Sequence, residues 1–234
     1  MPTANGKNRG YYKIEGAVDA FNFDFRGKVV LDIGSSTGGF TKLALDRGAK
    51  KVIAVEKGTN QMMKPLRFDP RIDLHEKTDI FDVCIRTELR GADEARGCKK
   101  NPQRANIRDN GSGIASEPLG RGRERSGSRV RVLLEHMPDV IMADVSFLSL
   151  KKVLSHVKNL KSADFLVMLK PQFEARPEQL NKGVVKNERI RRDIIKDFES
   201  WLKANNFLII KKRDNVLKGK TGNLERFYWL RQVK

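Results

Sequence analysis

The chain alternates between short apolar runs and stretches in which apolar residues recur every three or four positions. Short, mostly apolar runs bounded by polar residues or glycine are typical of buried strands. Such runs occupy positions 29–33, 52–55, 140–143, 165–169, 207–210 and 227–230, with a weaker one at 72–74. The pattern therefore predicts seven strands.

Helical spacing appears between these runs and predicts amphipathic helices, with Lys13 near the start of the first. Strands that alternate with helices favour a Rossmann-like α/β fold, in which a mostly parallel, doubly wound sheet has helices on both faces. The positions that define the four clearest helices are Ile14, Ala17, Val18 and Phe21; 40–47; Leu150, Val153, Leu154 and Val157; and Ile190, Ile194, Phe198 and Leu202.

The length of 234 residues suits one α/β domain, so we expect a single domain over 1–234. A stretch from about 91 to 129 interrupts the pattern, because it is rich in Gly, Ser, Asn and Arg and has almost no apolar periodicity. This composition predicts a disordered basic insertion between the third and fourth strands. Two interpretations of its arginines stay open: an arm that contacts phosphates and a solvated loop.

The charge balance is strongly basic, with 47 Lys and Arg against 29 Asp and Glu and a formal net charge of +18. The basic residues are spread along the whole chain, which favours a polyanionic partner and nucleic acid first. The two cysteines lie in no metal-binding spacing, so we expect no metal. No apolar run approaches the length of a membrane span, so we expect a cytoplasmic protein without membrane contact.

Polar or glycine residues follow four of the predicted strands directly: Gly34, Glu56, Asp144 and Lys170. Ligands of doubly wound sheets bind beyond the carboxyl ends of the strands, so these four residues are expected at one ligand-binding edge.

The turn DIGSSTGGF, at 32–40, follows the first strand and contains three glycines. Glycines allow backbone N–H groups at a helix N-terminus to approach a ligand closely. Glu56 follows Gly34 by 22 positions, near the spacing at which an acidic residue meets the hydroxyls of a bound ribose. The glycine spacing is not GxGxxG, so a nucleoside cofactor without a pyrophosphate fits better than a dinucleotide.

Six blocks along the chain resemble the TlyA, or hemolysin A-like, branch of the FtsJ-type ribose 2′-O-methyltransferases. Together they cover most of the sequence outside the basic insertion. The blocks are RGYYKIEGA (9–17), GKVVLDIGSSTGGFT (27–41), GAKKVIAVEKG (48–58), PDVIMADVSFLSL (138–150), LVMLKPQFEA (166–175) and KGKTGNLERF (218–227).

The resemblance implies an S-adenosylmethionine-dependent enzyme with a catalytic tetrad that falls on Lys13, Asp144, Lys170 and Glu225. Lys170 is the candidate base for the ribose hydroxyl proton. Asp144 is expected to pair with both ammonium groups, and Glu225 to orient Lys13 or the ribose.

The resemblance also implies a cofactor site in which Glu56 holds the ribose hydroxyls and Asp79 reaches the adenine amino group. Asp32 is expected to order the glycine turn or to meet the methionine amino group. The full set of expected cofactor-binding residues is Asp32, Gly34, Ser35, Gly38, Gly39, Phe40, Glu56 and Asp79.

The implied substrate is ribosomal RNA or a ribosomal subunit, with a cytidine as target and the enzyme as a monomer. Members of the family usually carry an N-terminal S4-type RNA-binding domain, whereas this chain begins almost directly at block 9–17. Either a short form binds RNA through its own basic surface, or the chain is a fragment. The alternative function is a noncatalytic RNA-binding or ribosome-assembly factor that retains the fold.

Overall fold

The computed structural model describes residues 7–85, 132–134, 137–160, 164–217, 219 and 222–233, so the predicted insertion at 91–129 lies outside the described residues. The strands are β1 Val29–Ile33, β2 Lys51–Val55, β3 Ile72–His75, β4 Val83–Ile85, β5 Val132–Leu134, β6 Val140–Ala143, β7 Asp164–Leu169, β8 Phe207–Asp214 and β9 Arg226–Gln232. The α-helices are α1 Arg9–Phe21, α2 Gly39–Asp46, α3 Lys64–Arg67, α4 Leu150–Val157, α5 Pro171–Glu174 and α6 Glu188–Ala204.

Seven of these strands form one sheet in the order β3-β2-β1-β6-β7-β9-β8. In this sheet, β3, β2, β1, β6 and β7 are parallel to one another, whereas β9 runs antiparallel to both β7 and β8. The predicted Rossmann-like α/β fold is confirmed. Because the strand order reverses between β1 and β6, a crevice is expected at the carboxyl ends of these two strands.

The sheet is buried on both faces, since successive side chains of a strand point to opposite sides. Leu31, Ile33 and Phe165 pack on the side of α4 and α6. Val30 and Met142 pack on the side of α1 and α2. The alternating burial explains why the central strands read as continuous apolar runs in the sequence.

The seven predicted strands are all present, but four short elements were not predicted. β4 and β5 have three residues each and pair as a separate two-stranded parallel sheet. The helices α3 and α5 have four residues each. Elements this short contain too few residues to display a period, so the apolar pattern could not reveal them. Among the described residues, no helix is long and apolar enough to cross a bilayer.

A close contact between α1 and α2 fixes the position of Lys13. Asn8 caps α1 by accepting a hydrogen bond from the Tyr11 backbone N–H at 3.0 Å, and its amide donates to Thr37 Oγ1 at 2.9 Å. A Cβ atom on Gly39 would lie 2.6 Å from the Tyr11 nitrogen and 2.8 Å from the Gly10 carbonyl carbon. Gly39 therefore permits the two helices to touch backbone to backbone.

This contact predicts opposite effects for two glycine substitutions. Gly39→Ala should destabilise the protein by about 1–3 kcal/mol, because the new Cβ would meet the Asn8 side-chain oxygen that caps α1 and two backbone atoms that cannot rotate away. Gly16→Ala, in the interior of α1, should stabilise it by up to about 1 kcal/mol, because a Cβ there meets no atom within 4 Å and alanine favours helix. Urea unfolding of both variants tests the pair. A Gly39→Ala protein as stable as the parent would contradict the proposed role of the contact.

Candidate active site

A cleft of about 710 Å³ lies beyond the carboxyl ends of β1, β2 and β6. This volume is in the range of small-molecule and cofactor sites. Its walls combine apolar side chains such as Val145 and Leu148 with the polar residues Glu56, Asp79 and Asp144. A ligand that presents both an apolar ring and hydroxyl or amino groups therefore suits the cleft.

The glycine turn brings the ends of three strands together. Gly34 has a φ of +78°, and its backbone N–H donates to the Val55 carbonyl oxygen at 2.9 Å. A Cβ atom on Gly34 would lie 3.1 Å from the Asp144 carbonyl oxygen. Only glycine combines this left-handed conformation with so close an approach at low cost. The turn thereby holds the end of β1 close to Asp144, which follows β6.

Glu56 joins the glycine turn to the segment that follows β2. One carboxylate oxygen accepts from the Ser36 backbone N–H at 2.8 Å, and the other accepts from the Gly58 backbone N–H at 2.7 Å. A carboxylate oxygen has two lone pairs, so each oxygen can accept a further hydrogen bond. The two oxygens together match the two hydroxyls of a ribose.

Asp79 lines the same cleft at the start of the 3₁₀ turn Ile80–Asp82. Its carboxylate accepts from the Phe81 backbone N–H at 3.2 Å, and the Lys57 ammonium lies 3.8 Å away. The carboxylate is thus held in place beside the apolar wall that Phe81 contributes.

Two buried polar atoms lie at the glycine turn. Asp32 is fully buried; its Oδ2 accepts from Thr41 Oγ1 at 2.6 Å, while its Oδ1 has no hydrogen-bond partner among the described residues. The hydroxyl of Ser35 is buried and likewise without a partner in the described ranges. Burial raises the pKa of Asp32 to about 7, with Thr41 opposing the shift and the charge of Asp144 adding to it. Unmet polar groups here fit a polar or cationic ligand group such as an amino acid moiety.

The four residues of the expected tetrad form two ion pairs. The Lys13 ammonium lies 2.6 Å from a Glu225 carboxylate oxygen, with 8% and 2% of the two residues exposed. The Lys170 ammonium lies 2.6 Å from a carboxylate oxygen of Asp144 and donates to Ser146 Oγ at 2.8 Å.

Strand register explains why the two pairs are neighbours. Leu169 pairs with Arg226 across the antiparallel strands β7 and β9. Lys170 directly follows β7 and Glu225 directly precedes β9, so both residues lie at the same edge of the sheet. One expectation differs from the structure: within the described part of the chain, Asp144 pairs with Lys170 and not with Lys13, whose partner is Glu225.

Five of the eight residues expected at the cofactor are absent from the cleft lining: Asp32 and Ser35, which are buried at the glycine turn, and Gly38, Gly39 and Phe40. Gly39 belongs to the contact between α1 and α2 described above. Phe40 is buried in the core, where its ring centroid lies 6.0 Å from that of Phe227. Gly38, with a φ of +85°, precedes α2 and lies against the side chain of Leu66. These positions are explained by turn geometry and helix packing.

Sequence reasoning missed Phe147, which lines the cleft beside Asp144. Phe147 is 92% exposed and has a φ of +59°, a rare backbone conformation for an aromatic residue. Its ring centroid lies 5.2 Å from that of Phe173, which in turn lies beneath the Lys170 ammonium at 5.8 Å. The available signal was an aromatic residue three positions after Asp144, in a loop that follows a buried strand.

Comparisons with known proteins agree with this geometry. The model of the FtsJ-like methyltransferase family matches residues 7–232. The 16S/23S rRNA (cytidine-2′-O)-methyltransferase TlyA of Mycobacterium tuberculosis is 31% identical over 227 residues, which cover 96% of this chain and 68% of that protein. The 23S rRNA (cytidine-2′-O)-methyltransferase TlyA of Campylobacter jejuni is 28% identical and covers 95% of this chain and 69% of its own length. A Lactococcus lactis protein of solved structure, provisionally named a hemolysin, superposes with a TM-score of 0.72 at 26% identity, over 97% of this chain and 88% of that one.

The raised pKa of Asp32 predicts a pH-dependent stability. A carboxyl whose pKa rises from 3.8 to about 7 on folding binds its proton more tightly in the folded state. Its contribution to stability is complete below pH 4 and is lost as the pH rises through about 7. Asp32→Asn cannot ionise, so its stability relative to the parent should increase by about 3 kcal/mol between pH 5 and pH 8.

Urea unfolding of the cofactor-free protein at the two pH values measures this difference. Asp193→Asn, at an exposed position of α6, serves as the control and should follow the parent. Parallel stability curves for Asp32→Asn and the parent would show that Asp32 does not titrate near neutral pH.

Proposed function

The chain belongs to the FtsJ-like methyltransferase family, and from this premise we propose that it transfers a methyl group from S-adenosylmethionine to the ribose 2′-hydroxyl of a cytidine in ribosomal RNA. The observation that carries the proposal is the contact between the Lys170 ammonium and Asp144 at the edge of the cofactor cleft. A ribosomal substrate implies that the reaction takes place in the cytoplasm. The single-domain organisation and the monomeric state stay predictions from the sequence.

The cofactor supplies a methyl group activated by a sulfonium charge, and the residues around the cleft fit its three parts. Glu56 offers two carboxylate oxygens to the ribose hydroxyls, and Asp79 offers an acceptor to the adenine amino group beside Phe81. The unmet buried atoms of Asp32 and Ser35, at the glycine turn, suit the methionine end.

Lys170 is the residue that we assign to the target hydroxyl. An ammonium has three N–H donors, and Lys170 donates one of them to Ser146 Oγ while it forms an ion pair with Asp144. A remaining donor can point to the ribose oxygen. In its neutral form the same nitrogen accepts the hydroxyl proton while the oxygen attacks the methyl group. The Lys13–Glu225 pair is buried at the same edge of the sheet and supports this side of the site; because the two charges neutralise each other, its role is to hold the local structure.

Two further observations support an RNA substrate. The net charge of +18 favours a polyanion, because phosphate neutralisation contributes a large share of binding energy to nucleic acids. The exposed ring of Phe147 lies at the cleft beside Asp144, where a nucleobase attached to the target ribose could stack on it. An aromatic residue held in a strained backbone conformation and left in solvent is poorly explained by stability alone.

The cofactor assignment predicts a specific loss of affinity in Glu56→Ala. S-adenosylhomocysteine binding should weaken by on the order of 1–3 kcal/mol, because the ribose hydroxyls lose their acceptors. Glu56→Gln keeps one acceptor oxygen and should lie between the parent and the alanine variant. Calorimetry with circular dichroism as a folding control measures the series. Binding of NAD without any response to S-adenosylhomocysteine would contradict the assignment.

The catalytic assignment predicts that Lys170→Ala loses methyl transfer by about 100-fold or more while S-adenosylhomocysteine affinity stays close to that of the parent. Lys170→Arg should not restore activity, because a guanidinium stays protonated. Lys203→Ala, an exposed lysine of α6, is the matched control and should act as the parent does.

The assay uses ribosomal RNA and labelled S-adenosylmethionine, followed by mass-spectrometric mapping of the ribose methyl group. A folded Lys170→Ala protein with the parental rate would refute the role of Lys170. A parent protein that binds ribosomal RNA but transfers no methyl group would favour the noncatalytic alternative.

A further inference from the structure

Helix α4 begins without a side-chain cap of its own. Ser149 is the N-cap residue, yet its hydroxyl makes no capping bond to the helix. The carboxylate of Glu174, at the end of α5, takes this place. One of its oxygens accepts from the Leu150 backbone N–H at 2.6 Å, and the other accepts from Ser149 Oγ at 2.7 Å. A residue 24 positions further along the chain thus satisfies one of the N–H groups that every helix start leaves without a partner in the helix.

The two segments that Glu174 joins carry the proposed chemistry. Residues 144–149 connect β6 to α4 and include Asp144, Ser146 and Phe147, whereas residues 170–174 begin with Lys170. The segments touch at three levels. Lys170 meets Asp144 and Ser146 at one end, the rings of Phe147 and Phe173 meet in the middle, and Glu174 meets Ser149 at the other end.

Val145 and Leu148 of the 144–149 loop pack on the apolar core, and the Phe147 stretch between them is where a further anchor has an effect. Phe147 has a positive φ, a strained conformation that persists only when the surroundings enforce it. Its side chain is exposed and provides almost no buried apolar contact to hold the loop. Burial raises the pKa of the Glu174 carboxyl, with the bonds from Ser149 and Leu150 opposing the shift. The carboxylate therefore gives up hydration in order to reach the start of α4.

We propose that Glu174 is a positioning residue for methyl transfer: by anchoring the start of α4 it holds the 144–149 loop so that Asp144 and Ser146 stay in contact with Lys170. The inference rests on the proposed function of Lys170 and Asp144. Glu174 itself touches neither of these two side chains, and its effect passes through the loop.

Four variants test the proposal in the full chain. Glu174→Ala removes both hydrogen bonds. Glu174→Gln can keep both, since its oxygen accepts from Leu150 and its amide donates to a rotated Ser149 hydroxyl. Ser149→Ala removes one bond only. Glu178→Ala removes a nearby exposed carboxylate, paired with Arg176 at 3.2 Å, and is the matched control.

The measurements are the single-turnover rate of ribose methylation, the affinity for S-adenosylhomocysteine, and hydrogen exchange of the peptide 144–150. Glu174→Ala should lower the rate by about 10- to 100-fold, because displacements near 1 Å have effects of this size. Its cofactor affinity should change by about threefold or less, since Glu56 and the glycine turn are untouched. Exchange of the peptide should become faster. Glu174→Gln should restore both rate and protection, and Ser149→Ala should show a smaller loss.

A folded Glu174→Ala protein with parental rate and parental exchange would overturn the proposal. So would a Glu174→Gln protein as impaired as the alanine variant, because the charge and not the anchoring geometry would then matter. If Glu174→Ala does not fold, parental rate and exchange in Ser149→Ala overturn it equally. A parent that transfers no methyl group refutes the proposed function instead, and hydrogen exchange then still decides whether Glu174 holds the loop.

Discussion

Two ion pairs at one end of the sheet are the constraint on which the rest of the structure depends: Lys13 and Glu225 are both buried, whereas Asp144, the partner of Lys170, is half-buried. Burying an ammonium and a carboxylate costs several kcal/mol of desolvation per ion, which their mutual attraction offsets only when the geometry is well held. The Lys13–Glu225 pair joins residues 212 positions apart, from α1 and the start of β9. Its geometry is held by apolar layers on both faces of the sheet and by the glycine contact between α1 and α2.

The antiparallel strand β9 is what completes this arrangement. In a parallel sheet, residues that precede a strand lie at the edge opposite the carboxyl ends. Because β9 runs against β7, Glu225, which precedes β9, lies at the same edge as Lys170, which follows β7. One reversed strand therefore brings the two lysines and the two carboxylates to the same edge, although they come from four different elements.

The fold and part of the site could be predicted from the sequence, because both depend on local order. Apolar runs identified the seven strands of the sheet, and the residues that follow β1, β2, β6 and β7 lie at one edge, as expected for a doubly wound sheet. The ion-pair partners of charged residues could not be predicted from the sequence, because the pairing of Asp144 with Lys170 depends on how far each side chain reaches in the folded protein. Glycines have several uses, and the sequence could not separate Gly34, which a close approach requires, from Gly39, which packs helices. The roles of the site residues stay predictions.

The glycine turn beside the cleft contains buried polar atoms that lower the stability of the cofactor-free protein and that a bound ligand could satisfy. Asp32 Oδ1 and the Ser35 hydroxyl are buried without a partner in the described residues, and each such atom costs free energy in the cofactor-free protein. A ligand that supplies donors and a positive charge to this turn would remove the cost, and its binding would be coupled to the ionisation of Asp32. At the end of the cleft where the target ribose would bind, the backbone of Phe147 is strained. This strain is tolerated because neighbouring contacts, including those of Glu174, hold the loop in place. The unpaired atoms of Asp32 and Ser35 and the strained Phe147 thus lie near the same cleft, which is where a methyl donor and a methyl acceptor would have to meet.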